Sequence, residues 1–145
     1  MKATELMIGD LVIHGFGSIG KITEIDSKTV VIKDDGFDTG DGMNEVSFAL
    51  NELTPIPLTP EILKQNGFTG GEYKSYTGDV WYLKEEGFRK IGLTMSRKES
   101  TLWGEKIKPL SPDSIGHNFA VPNIKYVHEL QHALRLCGIN KVITI

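Results

Sequence analysis

The sequence predicts an α+β protein: a small N-terminal SH3-like β-barrel or bent sheet, then an antiparallel sheet covered by one amphipathic helix. Three observations carry this. Short β-branched runs separated by turn residues recur through 11–50 and again through 80–108. Glycine supplies 16 of 145 residues, about 11% against a usual ~7%, which favours turns and strands over a bundle. Only 124–137 sustains the i, i+3, i+4 apolar spacing of a longer amphipathic helix.

The elements follow in order. Leu11, Val12 and Ile13 come after a Gly9-Asp10 turn signal and read as a strand. Residues 18–25 and 29–33 are rich in β-branched side chains, with Asp26, Ser27 and Lys28 as a hairpin loop between them. The Asp- and Gly-rich stretch 34–42 reads as an exposed loop and 46–50 as a further strand. In 54–58, Pro55 and Pro57 force an extended connector, because proline donates no hydrogen bond and restrains its predecessor. Thr59 is an N-cap, Pro60 fits the first helical position and Gly67 is a stop, so 60–66 is a short helix. Strands follow at 80–84, 88–95 and 101–108. Residues 110–123, with prolines in or beside them at 109, 112 and 122, read as a loop. The helix at 124–137 stops at Gly138, and 142–145 reads as a short final strand. This organisation divides the chain into a barrel-like subdomain at 1–54 and an α+β subdomain at 55–145, either separate or sharing one core.

A composition of 39% hydrophobic and 24% charged residues is that of ordinary globular domains. No apolar run reaches the ~18–20 residues of a membrane span, and no signal peptide opens the chain. The single Cys137 excludes an internal disulfide framework and fits a reducing cytoplasm. The net charge of −3 is unevenly spread. Residues 1–59 carry four Lys or Arg against ten Asp or Glu; residues 60–145 carry twelve against nine. Such halves could dock on each other, or the basic half could face an anionic partner. The bases that would contact nucleic acid are Lys84, Arg89, Lys90, Arg97, Lys98, Lys106 and Lys108. Glu85, Glu86, Glu99 and Glu105 interleave with them, as on a solvated sheet face.

Four motifs invite chemistry. Gly15, Gly17 and Gly20 satisfy G-x-G-x-x-G. The fingerprint needs a helix opening at the third glycine to hold the pyrophosphate, whereas a strand follows within about eight residues, too few for a parallel crossover. A Walker A loop also fails, since Ile22 stands where Ser or Thr would ligate magnesium. Asp34, Asp38 and Glu45 take positions one, five and twelve of a calcium loop, but Thr39 stands where the bend needs glycine. Ser111, Asp113, Ser114 and His117 share one loop without the strand-turn-helix context of a nucleophile.

The sharpest signal is His128-Glu129-Leu130-Gln131-His132, an H-E-x-x-H run inside a helix. Histidines at i and i+4 share a face and could hold zinc, with Glu129 as general base on its water. No Asp, Glu or His follows His132, and Cys137 lies roughly 140° around the helix from it, at about 100° per residue. A third ligand would have to come from His117, Asp113 or His14. Tyr126, Val127, Leu130, Ala133, Leu134 and Cys137 form the apolar stripe, which leaves the histidines on a solvated polar face.

Three segments carry a resemblance: K-A-T-E-L-M-I-G-D-L-V at 2–12, P-I-P-L-T-P-E-I-L at 55–63 and I-K-Y-V-H-E-L-Q at 124–131. They resemble small uncharacterised proteins of Bacteroidetes genomes and of their phages or mobile elements, over about 30 residues in all. That group often has Asn at the place of His132 and Gln at that of Glu129, which implies that the zinc-like run is local to this chain. No activity, cofactor or residue role comes with the resemblance. The expected function is a non-enzymatic binding or accessory protein of a phage or mobile element, with a protein partner favoured and no cofactor. Tyr76, Trp81, Trp103 and the basic strand positions are its candidate contacts. The alternatives are a zinc-dependent hydrolase on His128, Glu129 and His132, and a nucleic-acid-binding module.

Overall fold

A computed structural model describes residues 1–36, 44–75, 78–96, 100–106 and 117–145. The chain divides into two compact units, one of Met1–Pro57 with Tyr126–His128, the other of Leu58–Lys125 with Glu129–Ile145.

The first unit holds β1 (Leu11–Ile13), β2 (Ile19–Ile25), β3 (Thr29–Lys33) and β4 (Glu45–Ala49), an antiparallel meander in the order β1-β2-β3-β4. The sheet is open and bent, so of the two expected forms the closed barrel gives way to the bent sheet. Its bend has a local cause. A bulge interrupts the β2–β3 register between Ile22 and Glu24, and there the Thr23 hydroxyl donates to the Val31 carbonyl at 3.3 Å. Strict alternation buries one face. Val30 and Ile32 point inward beside Val12, Ile22 and Phe48, and Leu6 and Leu53 close the core. Each such side chain contributes roughly 1.5–3 kcal/mol by leaving water. The edge of β1 is covered where Ile13 exchanges both backbone hydrogen bonds with Thr54, at 3.0 and 2.8 Å.

The glycine motif lies on the β1–β2 hairpin, antiparallel as its spacing requires. A side chain at Gly20 would run into Ile32 and come within 3.3 Å of the His14 ring. This glycine serves close packing.

The second unit opens with α1 (Pro60–Gln65). The Thr59 hydroxyl accepts from the Ile62 amide, and the Glu61 carboxyl is held below its ordinary pKa by its own backbone amide and by Thr59. A five-stranded antiparallel sheet follows in sequence order: β5 (Thr69–Ser75), β6 (Gly78–Leu83), β7 (Phe88–Met95), β8 (Ser100–Lys106) and β9 (His117–Val121). β5 and β9 depart from the expectation. β5 carries Gly70 and Gly71 and lacks alternation, and β9 lies inside what reads as a proline-flanked loop. Both are strands by virtue of the partners they pair with, Thr69 with Tyr82 and Gly104 with Phe119.

α2 spans Val127–Leu136, three residues shorter at its start than expected. Residues 124–126 are extended instead. The Ile124 amide donates to Ser100 at 2.9 Å, the Lys125 carbonyl accepts from Leu58 at 3.0 Å, and the Val127 amide donates to Ile56 at 2.9 Å. The Lys125 carbonyl and the Val127 amide, which an earlier helix start would pair with Glu129 and Asn123, are thereby taken. Among the described residues no helix is long and apolar enough to cross a membrane.

Both helices end in the same way. After α1, Gly67 at φ 78° donates to Lys64 and Phe68 donates back to Leu63 at 2.9 Å. After α2, Gly138 at φ 77° donates to Arg135 and Ile139 to Leu134 at 2.8 Å. These are Schellman closures, in which a left-handed glycine lets a buried residue fold back on the last turn.

No strand forms at 142–145, where one was expected. The Asn66 amide takes the place of a partner strand. Its Nδ2 donates to the Thr144 carbonyl at 2.7 Å and to Ile62 at 2.8 Å, while its Oδ1 accepts from the Thr144 amide at 2.8 Å. Ile143 is thereby held in the core. Asn66→Ala leaves these groups unpaired and is expected to cost about 2–3 kcal/mol, read by urea unfolding, with faster hydrogen exchange at Thr144. Unchanged stability would refute the clamp.

Candidate functional site

The five-stranded sheet has two unlike faces. Cross-strand register aligns Trp81, Leu93, Leu102 and Val121 in one row, and Leu83, Ile91, Gly104 and Phe119 in the next. Trp81, Leu83, Ile91, Leu93 and Leu102 are buried. The opposite face carries the row Tyr82, Gly92, Trp103 and Ala120.

On that second face the side chains form one cluster. A methyl group at Gly92 would stand 2.6 Å from Cε2 of Trp103, so the indole lies against the bare backbone of β7. The Trp103 Nε1 donates to the Thr94 hydroxyl at 3.0 Å, which fixes the ring's rotation. Tyr82 meets Trp103 edge-on, at 6.1 Å and 90°. Lys90 is exposed, and its Nζ stands 5.1 Å from the Tyr82 ring centre and 5.3 Å from that of Trp103. A cation placed over two rings is held by both quadrupoles. Tyr82 and Trp103 are half-buried, so both touch solvent. The arrangement can receive a flat or apolar group beside a positive charge.

The expected contacts fare unequally. Trp103 is on this face. Trp81 is 2% exposed and belongs to the core, against Gly71 and beneath Lys64. Tyr76 lies outside the described residues. Of the expected bases, Lys84 and Lys90 are exposed; Arg97, Lys98, Lys108 and the side chains of Arg89 and Lys106 fall outside the description. Tyr82 is not among the expected contacts. Its place next to Trp81 along one strand is the available signal, because neighbours along a strand face opposite ways.

The zinc-like run is placed differently from its expectation. His128 is 3% exposed, not solvated, and stacks on Tyr126 at 5.8 Å and 7°. Glu129 accepts from the Lys125 backbone amide at 2.6 Å, a helix-capping role that suits a carboxylate in the first turn. His132 is half-buried. Among the described residues no three His, Cys, Asp or Glu side chains come together as a metal site. Ser111, Asp113 and Ser114 lie outside the described residues, as does Asp38 of the calcium-like loop.

A different pairing joins two residues that the sequence left apart. His14 Nε2 lies 3.0 Å from Asp34 Oδ2, with side-chain exposures of 1% and 12%. The Phe16 amide donates to His14 Nδ1 at 3.4 Å, and the ring's Nε2 faces the Asp34 carboxylate. The Gly36 amide donates to Asp34 Oδ1 at 2.8 Å. That bond first, and His14 second, hold the Asp34 carboxyl below its ordinary pKa.

No family model, curated protein or solved structure matches this chain.

Two outcomes follow. Gly92→Ala is expected to displace the Trp103 ring, at about 1–3 kcal/mol of overpacking, and to shift tryptophan emission; an unchanged spectrum would contradict the stack. Asp34→Asn is expected to destabilise the protein at pH 7. A carboxylate with a depressed folded-state pKa contributes fully above its unfolded value and loses that contribution as pH falls. The gap between wild type and variant in urea unfolding therefore closes below about pH 4.

Proposed function

We propose that this chain is a non-enzymatic binding module, and that a partner protein docks on the outer face of the five-stranded sheet through Tyr82, Lys90 and Trp103. The observation that supports this reading is the preassembled cluster itself. Two aromatic rings are held in fixed positions at the surface, one by a hydrogen bond and a bare glycine backbone, with a lysine ammonium between them. Interface hot spots favour such aromatic anchors, because their area is offered at low entropic cost. The ammonium selects a partner segment that brings a carboxylate beside an apolar or aromatic side chain. The resemblance of residues 2–12, 55–63 and 124–131 to proteins of Bacteroidetes phages and mobile elements supports an accessory role in such an element. The lone Cys137 suits a cytoplasmic setting.

The test is affinity capture with wild-type protein beside Trp103→Ala and Lys90→Glu, followed by calorimetry on the purified partner. Either substitution is expected to weaken Kd at least tenfold, which is about 1.4 kcal/mol. A partner whose affinity ignores both substitutions overturns the reading. So does single-stranded DNA or RNA that binds with a steep salt dependence lost in Trp103→Ala.

A further inference from the structure

The first unit presents an aromatic residue of its own. Phe16, at the tip of the β1–β2 hairpin, is 63% exposed. It is braced from below. The His14 ring meets it edge-on at 5.7 Å, Phe48 meets it at 5.3 Å and 74°, and His14 stacks on Phe48 at 4.6 Å. The Phe16 amide is tied to His14 Nδ1, and His14 to Asp34. The ring is therefore a fixed, outward-facing surface carried on a buried hydrogen-bonded base.

Acidic residues lie close to this tip in the fold. A side chain at Gly15 would stand 3.7 Å from Cβ of Glu52, which is itself exposed. Asp34 lies under the tip, and Asp35 follows it with an 89% exposed side chain. The cation beside Asp35 is Lys33, at 3.9 Å, in an exposed pair of the kind that contributes little. Residues 1–59 as a whole carry ten acidic against four basic side chains. An aromatic face in an acidic neighbourhood suits a cationic side chain, whose charge is drawn to the ring quadrupole and to nearby carboxylates.

We propose that the β1–β2 tip is a docking site for a basic protein segment, with an arginine or lysine side chain lying on Phe16 and the acidic residues of this part of the unit, Glu52 and Asp35 among them, answering its charge. The site is built from residues of the first unit alone. It stands independently of the sheet face assigned above, which favours an acidic segment.

The test is a titration of the isotope-labelled full chain with a hexa-arginine peptide, followed by two-dimensional NMR. The expected result is shifts centred on His14, Phe16, Asp35, Phe48 and Glu52. Affinity falls at least tenfold in Phe16→Ala, is retained in Phe16→Tyr and weakens with added salt; hexaglutamate gives no shifts. Preserved peak dispersion in Phe16→Ala certifies the fold. Absence of binding, shifts spread over all acidic residues, or an affinity indifferent to Phe16→Ala would each overturn the proposal.

Discussion

An aromatic ring lies flat against the backbone of a neighbouring strand only where that strand has no side chain to hold it off. The five-stranded sheet depends on that constraint. Trp103 rests on Gly92, Trp81 on Gly71, and Phe119 beside Gly104. At each place a β-carbon would stand within about 3 Å of the ring. Glycine weakens a strand through lost entropy and packing. Here the cross-strand aromatic fills the gap that glycine leaves. The same constraint sorts the two tryptophans. Trp81 and Trp103 sit on opposite faces, one in the core and one at the surface, because register places them there.

A second economy concerns backbone amides that no ladder or helix satisfies. Carboxylates nearby in sequence take them. Glu5 accepts from Lys2, Asp10 from Met7, Glu52 from Ala49, Glu129 from Lys125 and Asp34 from Gly36. Asn66 does the same for Thr144 across the unit. An unmade bond at any buried group of this kind would cost about 1–3 kcal/mol. Part of the chain's acidity is therefore structural. Glu129 is the instructive case, for the residue that makes the run look like a metalloprotease is the one that takes the Lys125 amide of the extended segment ahead of α2.

This explains what could be read from the sequence. β3 and β7 match their patterns residue for residue, since alternation and turn residues act locally. The stops at Gly67 and Gly138 are equally local, because only the αL conformation closes those turns. β5 and β9 were opaque because pairing, not composition, makes them strands. The start of α2 is opaque because distant chain segments occupy the Lys125 carbonyl and the Val127 amide. At the sites, Trp103 was legible as an exposed-strand aromatic, but the fixing of its ring by Gly92 and Thr94 depends on register between strands. His14 and Asp34 stand twenty residues apart, and no sequence pattern joins them.

As proposed docking sites, the two aromatic surfaces have little left to reorganise. A long side chain such as lysine loses up to about 2 kcal/mol of rotamer freedom when it is fixed on binding. Lys90 already stands over Tyr82 and Trp103, and the Trp103 indole is already hydrogen-bonded. Phe16 is likewise braced by His14 and Phe48. For a ring fixed before encounter, the ordering cost has been met during folding by burial elsewhere, so more of the contact energy appears as affinity. The electrostatics then divide the labour. A lysine between rings favours carboxylates, and carboxylates near a ring favour cations. In the two proposed docking sites the ring would supply area, and its charged neighbours would set which partner it favours.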